Sequence, residues 1–460
     1  MEQETSREQT THLAGAERAA EIAQDNEEYV LRAVQRKGSV IFERAQGVRL
    51  WDIQGKEYLD TMSGSAGPAM VGHANPEVAA AVARQMTQLP SVNVVHSSLA
   101  VVEFCSRMAQ ITPPGLTKTF LCAGGGEAIE AAIKFAIRVT GRGEVLSLTG
   151  AYHGMSLATM SLGGMPALRR WFPGGVRWPT FRQIPCADSY RPPLGVEHPD
   201  GWKVAVRALE SDLDGAGFGQ VAALLIEIIQ GPNGHVVFPP EYYREIQRVC
   251  RERDVLLIVD EIQTGLARCG TLWASDLFEV QPDILVAGKA LGGGVPIGVF
   301  ITRKDLIPER LESEPWHILT FMNQPLAAAA GLAVLDIVQR ERLSDRAREL
   351  GAVATSRLLQ MAEHYEVIGD VRGPGLFVGV DFVRNRKTKE PATDACRKAW
   401  EYAVERGLIV QFGGTGGNVL KFKPPLVVSL PDLHRMLDIV EDVAAFIQKA
   451  VDDNRKGIVS

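Results

Sequence analysis

Two ionisable residues stand directly after strand-like apolar runs, where a side chain is held rigidly and can still reach a ligand. Lys289 follows DILVAG and precedes the glycines of KALGGGVP, and Asp260 closes VLLIVD after five consecutive apolar residues. Ligands of open α/β sheets bind beyond the carboxyl ends of the strands, so both side chains are expected in one crevice. A lysine there can be desolvated and its pKa lowered, which suits it to attack a carbonyl; the alternative is a solvated loop lysine. A carboxylate ending so apolar a strand is costly unless a cation or donor faces it. A lysine for the aldehyde and an acid for the pyridinium nitrogen are what pyridoxal 5'-phosphate requires. The competing reading of IVDE is the magnesium-binding strand end of a nucleoside triphosphatase. No GxxxxGK[ST] occurs in the chain, and GKA at 288–290 lacks both the upstream glycine and the hydroxyl.

Three further segments place polar groups just past, or inside, apolar runs. LCAGGGEAIEAAIKFAIRV opens a helix whose apolar face recurs at Ile129, Ile133 and Ile137. Backbone amides at Gly124, Gly125 and Gly126, with the helix dipole, would hold a phosphate; a plain strand-to-helix turn is the other reading. Tyr152 and His153 stand in GAYHG, where an aromatic ring either stacks on a planar cofactor or belongs to the core. Glu227 interrupts AALLIEII, so it calls for a partner, either at a functional site or in a structural ion pair.

The elements that must carry these residues are legible as a pattern. Between about residues 75 and 335, the runs TKTFLC, EVLSL, AALLIEII, VLLIVD, DILVAG and GVFIT alternate with segments of helical period. Strands so continuously apolar are buried on both faces, which predicts an α/β fold with a mostly parallel central sheet between helices. VIFERAQGVRLWDIQGKEYLD (Val40–Asp60) alternates apolar and polar residues and is cut by Gly47 and Gly55, predicting three short antiparallel strands. Residues 1–28 read as a flexible N-terminal arm, followed by a short helix at 28–35. Residues 29–74 and 336–460 are expected to form a small α+β domain beside the large one at 75–335, ending in a helix at Asp432–Val451.

Composition narrows the partners. The chain has 460 residues, 46% hydrophobic and 23% charged, with a formal net charge of -6 and no long single-sign run. It offers no electrostatic footprint for nucleic acid or an anionic membrane surface. No apolar run approaches the roughly 20 residues of a bilayer span. Six scattered cysteines without a CxxC pair point away from zinc or a disulfide framework, and the polar, acidic first 28 residues do not resemble a signal peptide. A cytoplasmic protein acting on small molecules is expected.

With these residues assembled, the chain resembles the class III, or omega-type, aminotransferases of the fold-type I pyridoxal-phosphate superfamily. The resemblance spans about residues 40–450 and rests on GGGEAIEAA, AYHGMS, LLIEIIQGPNG, LLIVDEIQTGLARCG, PDILVAGKALGGGVPIG, TFMNQPLAAAAGLAVL and NVLKFKPPL in that order. It implies a central sheet of the seven-stranded type and a Schiff-base role for Lys289, which would also carry the catalytic proton. Asp260 would face the pyridinium nitrogen, Gln263 the ring's phenolic oxygen, and Tyr152 would stack on the ring with His153 beside it. Gly125 and Gly126 would give amides to the phosphate, and Glu227 would lie on the substrate side. Thr320 would reach the phosphate of the neighbouring subunit, so a homodimer with shared active sites is implied.

Two positions depart from the family's pattern. Gly124 and Gly126 replace the two hydroxyl residues of its S-G-S/T loop. Lys421, with Lys423 two residues on, stands before PPL where many relatives carry an arginine for the substrate carboxylate. A lysine lacks the bidentate fork. It either substitutes for the arginine as a substrate contact or faces solvent on an edge strand. The expected reaction is transfer of an amino group between an amine or amino acid and a keto acid or carbonyl acceptor. Amino-acid or amino-lactam racemisation or epimerisation is the alternative, since that branch of the family also departs from the arginine. A decarboxylating transaminase ranks third, because SGSAGPAM lacks the expected glutamine.

Overall fold

Turn chemistry sets the first strands. Glycines at φ 60° (Gly47) and 83° (Gly55) reverse the chain between β1 (Phe42–Gln46), β2 (Arg49–Asp52) and β3 (Glu57–Asp60), which pair antiparallel as the alternation predicts. The computed structural model describes residues 17–33, 39–165, 172, 178–192, 195 and 200–455. The helix expected at 28–35 is corrected: a helix runs over 17–29, residues 30–33 are not helical, and 34–38 fall outside the described residues. The sequence ERAAEIAQDNEEY lacks an apolar stripe but is rich in strong helix formers, and that propensity decides.

The apolar runs become the core. β4 (Leu116–Cys122), β5 (Glu144–Leu148), β6 (Phe181–Ile184), β7 (Val221–Glu227), the short hairpin β8 (Ile229–Gln230) and β9 (Val236–Val237), β10 (Leu256–Asp260), β11 (Ile284–Gly288) and β12 (Gly298–Arg303) follow in order. Seven of them form one sheet in the order β4-β12-β11-β10-β7-β5-β6. β12 is antiparallel to both its neighbours, while the remaining pairs run parallel. All seven residues of β7 and all five of β10 and β11 are buried, as strands covered on both faces must be. Helix Gly125–Thr140 covers one face with Ala128, Ile129, Ala132, Ile133 and Phe135.

The register matters for function. β10 and β7 pair Asp260 with Glu227, and β10 and β11 pair Asp260 with Val286. Glu227, Asp260 and the residue after β11 therefore share the carboxyl edge of the sheet, which also receives the turns leaving β4 and β5.

The C-terminal part contributes β13 (Ile368–Arg372), β14 (Val378–Asn385), β15 (Glu390–Pro391), β16 (Leu408–Ile409), β17 (Phe412–Gly413) and β18 (Val419–Phe422), then the helix Leu430–Arg455. β16 adds to β3 in parallel, joining N- and C-terminal segments in one small sheet. β18 lies between β14 and β17 with all four residues buried. Among the described residues no helix is long and apolar enough to cross a membrane.

Candidate active site

Asp260 is 6% exposed and is fixed from two directions. Its Oδ2 lies 2.9 Å from His153 Nδ1, and its Oδ1 accepts from the Ile262 amide at 3.0 Å. His153 is buried as well, and its Nε2 has no hydrogen-bond partner. The ring thus spends one nitrogen on holding the carboxylate. Neighbouring Tyr152 is half-buried, and its hydroxyl pKa is raised by burial and by the charges of Glu227 and Asp260.

Glu227 turns out to be clamped by backbone. Its Oε1 accepts from the Tyr152 amide at 2.5 Å and its Oε2 from the Gly231 amide at 2.9 Å. It thereby ties the turn after β5 to the loop after β8. Burial pushes its carboxyl up to about 7; Asp260 adds to the rise, while His153 and the two amides oppose it.

Lys289 begins a short 3-10 turn immediately after β11 and adopts φ 44°. A non-glycine residue in the left-handed region costs about 1–2 kcal/mol, and such strain gathers at functional sites. Burial lowers the ammonium pKa, against the pull of Asp260 and Glu227. A Cβ on Gly67 would stand 3.8 Å from the Cβ and Cδ of Lys289, so the SGSAGPAM loop runs along the lysine stem. The solvated-loop reading of Lys289 does not hold.

Lys421 on β18 and Lys423, the residue just past its end, flank Phe422, and both are buried, at 5% and 1% exposure. An edge-strand lysine facing solvent is excluded. Burial, with Lys289 close by, pulls Lys421 down to about 8, Glu227 opposing. Burial and the neighbouring cations Lys421, Lys289 and Arg268 take Lys423 well below its ordinary value. Lys423 Nζ donates to Gln263 Oε1 at 2.9 Å. The buried Arg268 was not singled out in the sequence; its guanidinium donates to the Pro424 and Leu376 carbonyls and to Ser63 Oγ. The signal available for the lysine pair was its spacing, since residues two apart on a strand share a face.

At the start of helix Gly125–Thr140, Gly124 is extended and no side chain caps the helix. A Cβ on Gly124 or Gly126 would meet nothing within 4 Å, whereas one on Gly125 would stand 2.9 Å from Ile262 Cδ1. The helix end is open on one side and packed on the other. Thr320 lies in an exposed turn. Among the described residues no group of three or more His, Cys, Asp or Glu is placed to hold a metal ion.

A strained, half-buried amine in the field of two strand-end carboxylates, with an uncapped helix start on the same sheet edge, defines an enzyme of amine and carbonyl chemistry built on a doubly wound sheet. The model of the class-III aminotransferase family matches residues 32–444, and the chain belongs to that family, a pyridoxal-phosphate-dependent one. The chain is 36% identical over 414 residues to a leucine/methionine racemase from Thermococcus litoralis, covering 89% of this chain and 91% of that one. It is 32% identical over 434 residues to an isoleucine 2-epimerase from Lentilactobacillus buchneri, covering 93% and 94%. Among solved structures, an (S)-enantioselective omega-transaminase from Thermomicrobium roseum matches with TM-score 0.86 and 31% identity, over 94% of this chain and 99% of that one. The relatives thus include both transaminases and racemases.

Proposed function

We propose that the chain is a homodimeric cytoplasmic aminotransferase that binds pyridoxal 5'-phosphate through Lys289 and moves an amino group between an amine or amino acid and a keto acid or carbonyl acceptor. The residues fit that group on three counts. The uncapped helix start has open space for a phosphate at Gly124 and Gly126. Asp260, held by His153 and the Ile262 amide, offers a fixed counter-ion to a ring nitrogen. Half-buried Tyr152 and the donor side of Gln263 offer a stacking surface and a hydrogen bond. Bound there, the cofactor supplies an electron sink for negative charge at the substrate's α-carbon.

The chain's own residues do the rest. Lys289 would hold the cofactor's aldehyde carbon and, as a free neutral amine, which its lowered pKa favours, would carry the proton. Asp260, held by His153 and the Ile262 amide, would favour positive charge at the ring nitrogen. Lys421 supplies a point charge for a substrate carboxylate. Residues 29–74 and 336–460 are read as one small domain that closes over the site, with 75–335 as the cofactor-binding domain.

The observation that carries this reading is the placement of one amine, Lys289, under the joint field of Asp260 and Glu227. One specific observation favours the racemase alternative. Lys421, drawn down to about 8 near Lys289, gives the site a second amine able to carry a proton near neutrality, as returning a proton to the opposite face requires. The first two relatives named above also carry racemase and epimerase names.

The test is to mix purified holoenzyme with a panel of amines and amino acids. Conversion of the bound chromophore to the amine form without added acceptor supports transamination. Exchange of the α-hydrogen with solvent and loss of optical activity, with no keto product, would replace it by racemisation. Lys289→Ala should fold and bind the cofactor noncovalently without turning over.

A further inference from the structure

We propose that Lys423 is a positioning residue that fixes the Gln263 side-chain amide with its oxygen turned away from the cofactor ring and its nitrogen turned towards it. The inference rests on the cofactor reading above and deepens it. A glutamine amide is ambiguous, because rotating it by half a turn exchanges an acceptor for a donor at nearly the same place. An oxygen on the ring that carries negative charge needs the donor.

Three observations on this chain remove the ambiguity. Lys423 Nζ has hydrogens to give, and it gives one to Gln263 Oε1 at 2.9 Å. Turned the other way, Gln263 would take its Oε1 away from Nζ and break that bond. Next, the amide is wedged: a Cβ built on Gly231 would lie 2.3 Å from Gln263 Oε1 and 2.8 Å from its Cδ, so backbone stands against it on that side. Finally, Lys423 cannot drift. Its amide donates to the Thr61 carbonyl at 2.8 Å, its carbonyl accepts from Ser63 Oγ at 2.8 Å, and Arg268 donates to the same hydroxyl at 2.9 Å. Its Nζ lies over the Phe377 ring, 5.6 Å from the centroid.

The lysine acts on the ring oxygen through the glutamine, by presenting the Gln263 N–H to it. That donor disfavours a proton on the oxygen and on any nitrogen that shares it, so losing it raises the pH at which the bound chromophore loses that proton.

The experiment follows the absorption of the full chain reconstituted with pyridoxal 5'-phosphate from pH 5 to 10. It uses the wild type, Lys423→Met, Lys423→Arg, Gln263→Met and the Lys423→Met/Gln263→Met pair. Replacing the buried lysine by methionine leaves no orphan charge at that position, and far-ultraviolet circular dichroism checks the fold. Lys423→Met should raise the spectral midpoint by about one pH unit, and Lys423→Arg should return it towards the wild type. The double variant should shift no further than Gln263→Met alone, as for two residues acting through one contact. An unmoved or lowered midpoint in Lys423→Met, or additive shifts in the double variant, overturns the proposal while leaving the cofactor reading intact. A wild type that takes up no colour overturns both.

Discussion

Glu227 stores a pH dependence of its own. Its folded pKa of about 7 lies above the ordinary 4.5 because burial penalises the charge. The contribution it makes as a neutral acid is therefore complete below pH 4.5 and is lost as the pH rises through 7. Glu227→Gln removes that titration. Cofactor-free wild type should lose about 3 kcal/mol relative to the variant between those pH values. Thermal melts at pH 4.5, 6 and 7.5 read the difference; parallel profiles would show that the carboxyl is not buried as described. At this scale the sequence made Lys289 and Asp260 legible, because each directly follows an apolar strand whose end fixes where it points. Glu227 was legible as a charge needing a partner, but not that its partners are the Tyr152 and Gly231 amides, since backbone donors leave no mark on residue type. The bond from Lys423 to Gln263 spans 160 positions, and only the packing of the segment that leaves β18 brings those two together.

The elements hold the site through close approaches that only glycine permits. On β12, Gly298 faces Cys122 of β4 and Gly288 of β11, and a Cβ there would lie 2.2 Å from the Gly124 carbonyl oxygen and 3.0 Å from the Gly125 amide nitrogen. Gly298→Ala must push the helix start away from the sheet edge and weaken cofactor binding at least tenfold, about 1.4 kcal/mol. Gly126 is the opposite case, since a side chain there meets nothing within 4 Å. Gly126→Ser adds a hydroxyl beside the proposed phosphate position and should tighten binding by about 1 kcal/mol. Absorption titration of both variants with pyridoxal 5'-phosphate checks the pair, and a loss of affinity in Gly126→Ser would place the phosphate elsewhere. Strand existence and parallel order were legible because continuous apolar runs alternate with helical spacers. The reversal of β12 was not, because a run buried on both faces reads the same in either direction. The helix at 17–29 was missed for the converse reason, having propensity without an apolar stripe.

For the whole molecule, the surface carries the remaining demand. Val95, Leu99, Ile318 and Phe321 are 77%, 73%, 64% and 58% exposed, and Val95 and Ile318 line one groove with Phe120 and Trp316. Thr320 sits in sequence between two of these residues and is itself exposed. A second copy covering this face would bury side chains worth about 1.5–3 kcal/mol each and would deliver Thr320 to the partner's helix start. Leu99→Asp and Ile318→Asp should therefore dissociate the dimer in sedimentation velocity. Both should also weaken cofactor binding at least tenfold, although neither residue lies at its own subunit's site. Thr320→Ala should keep the dimer and lose about 1.5 kcal/mol of cofactor affinity, the value of a hydrogen bond to a charged group. Monomeric variants that bind the cofactor as tightly as the wild type would mean that each subunit completes its site alone. The exposed stripe would then serve assembly without serving catalysis.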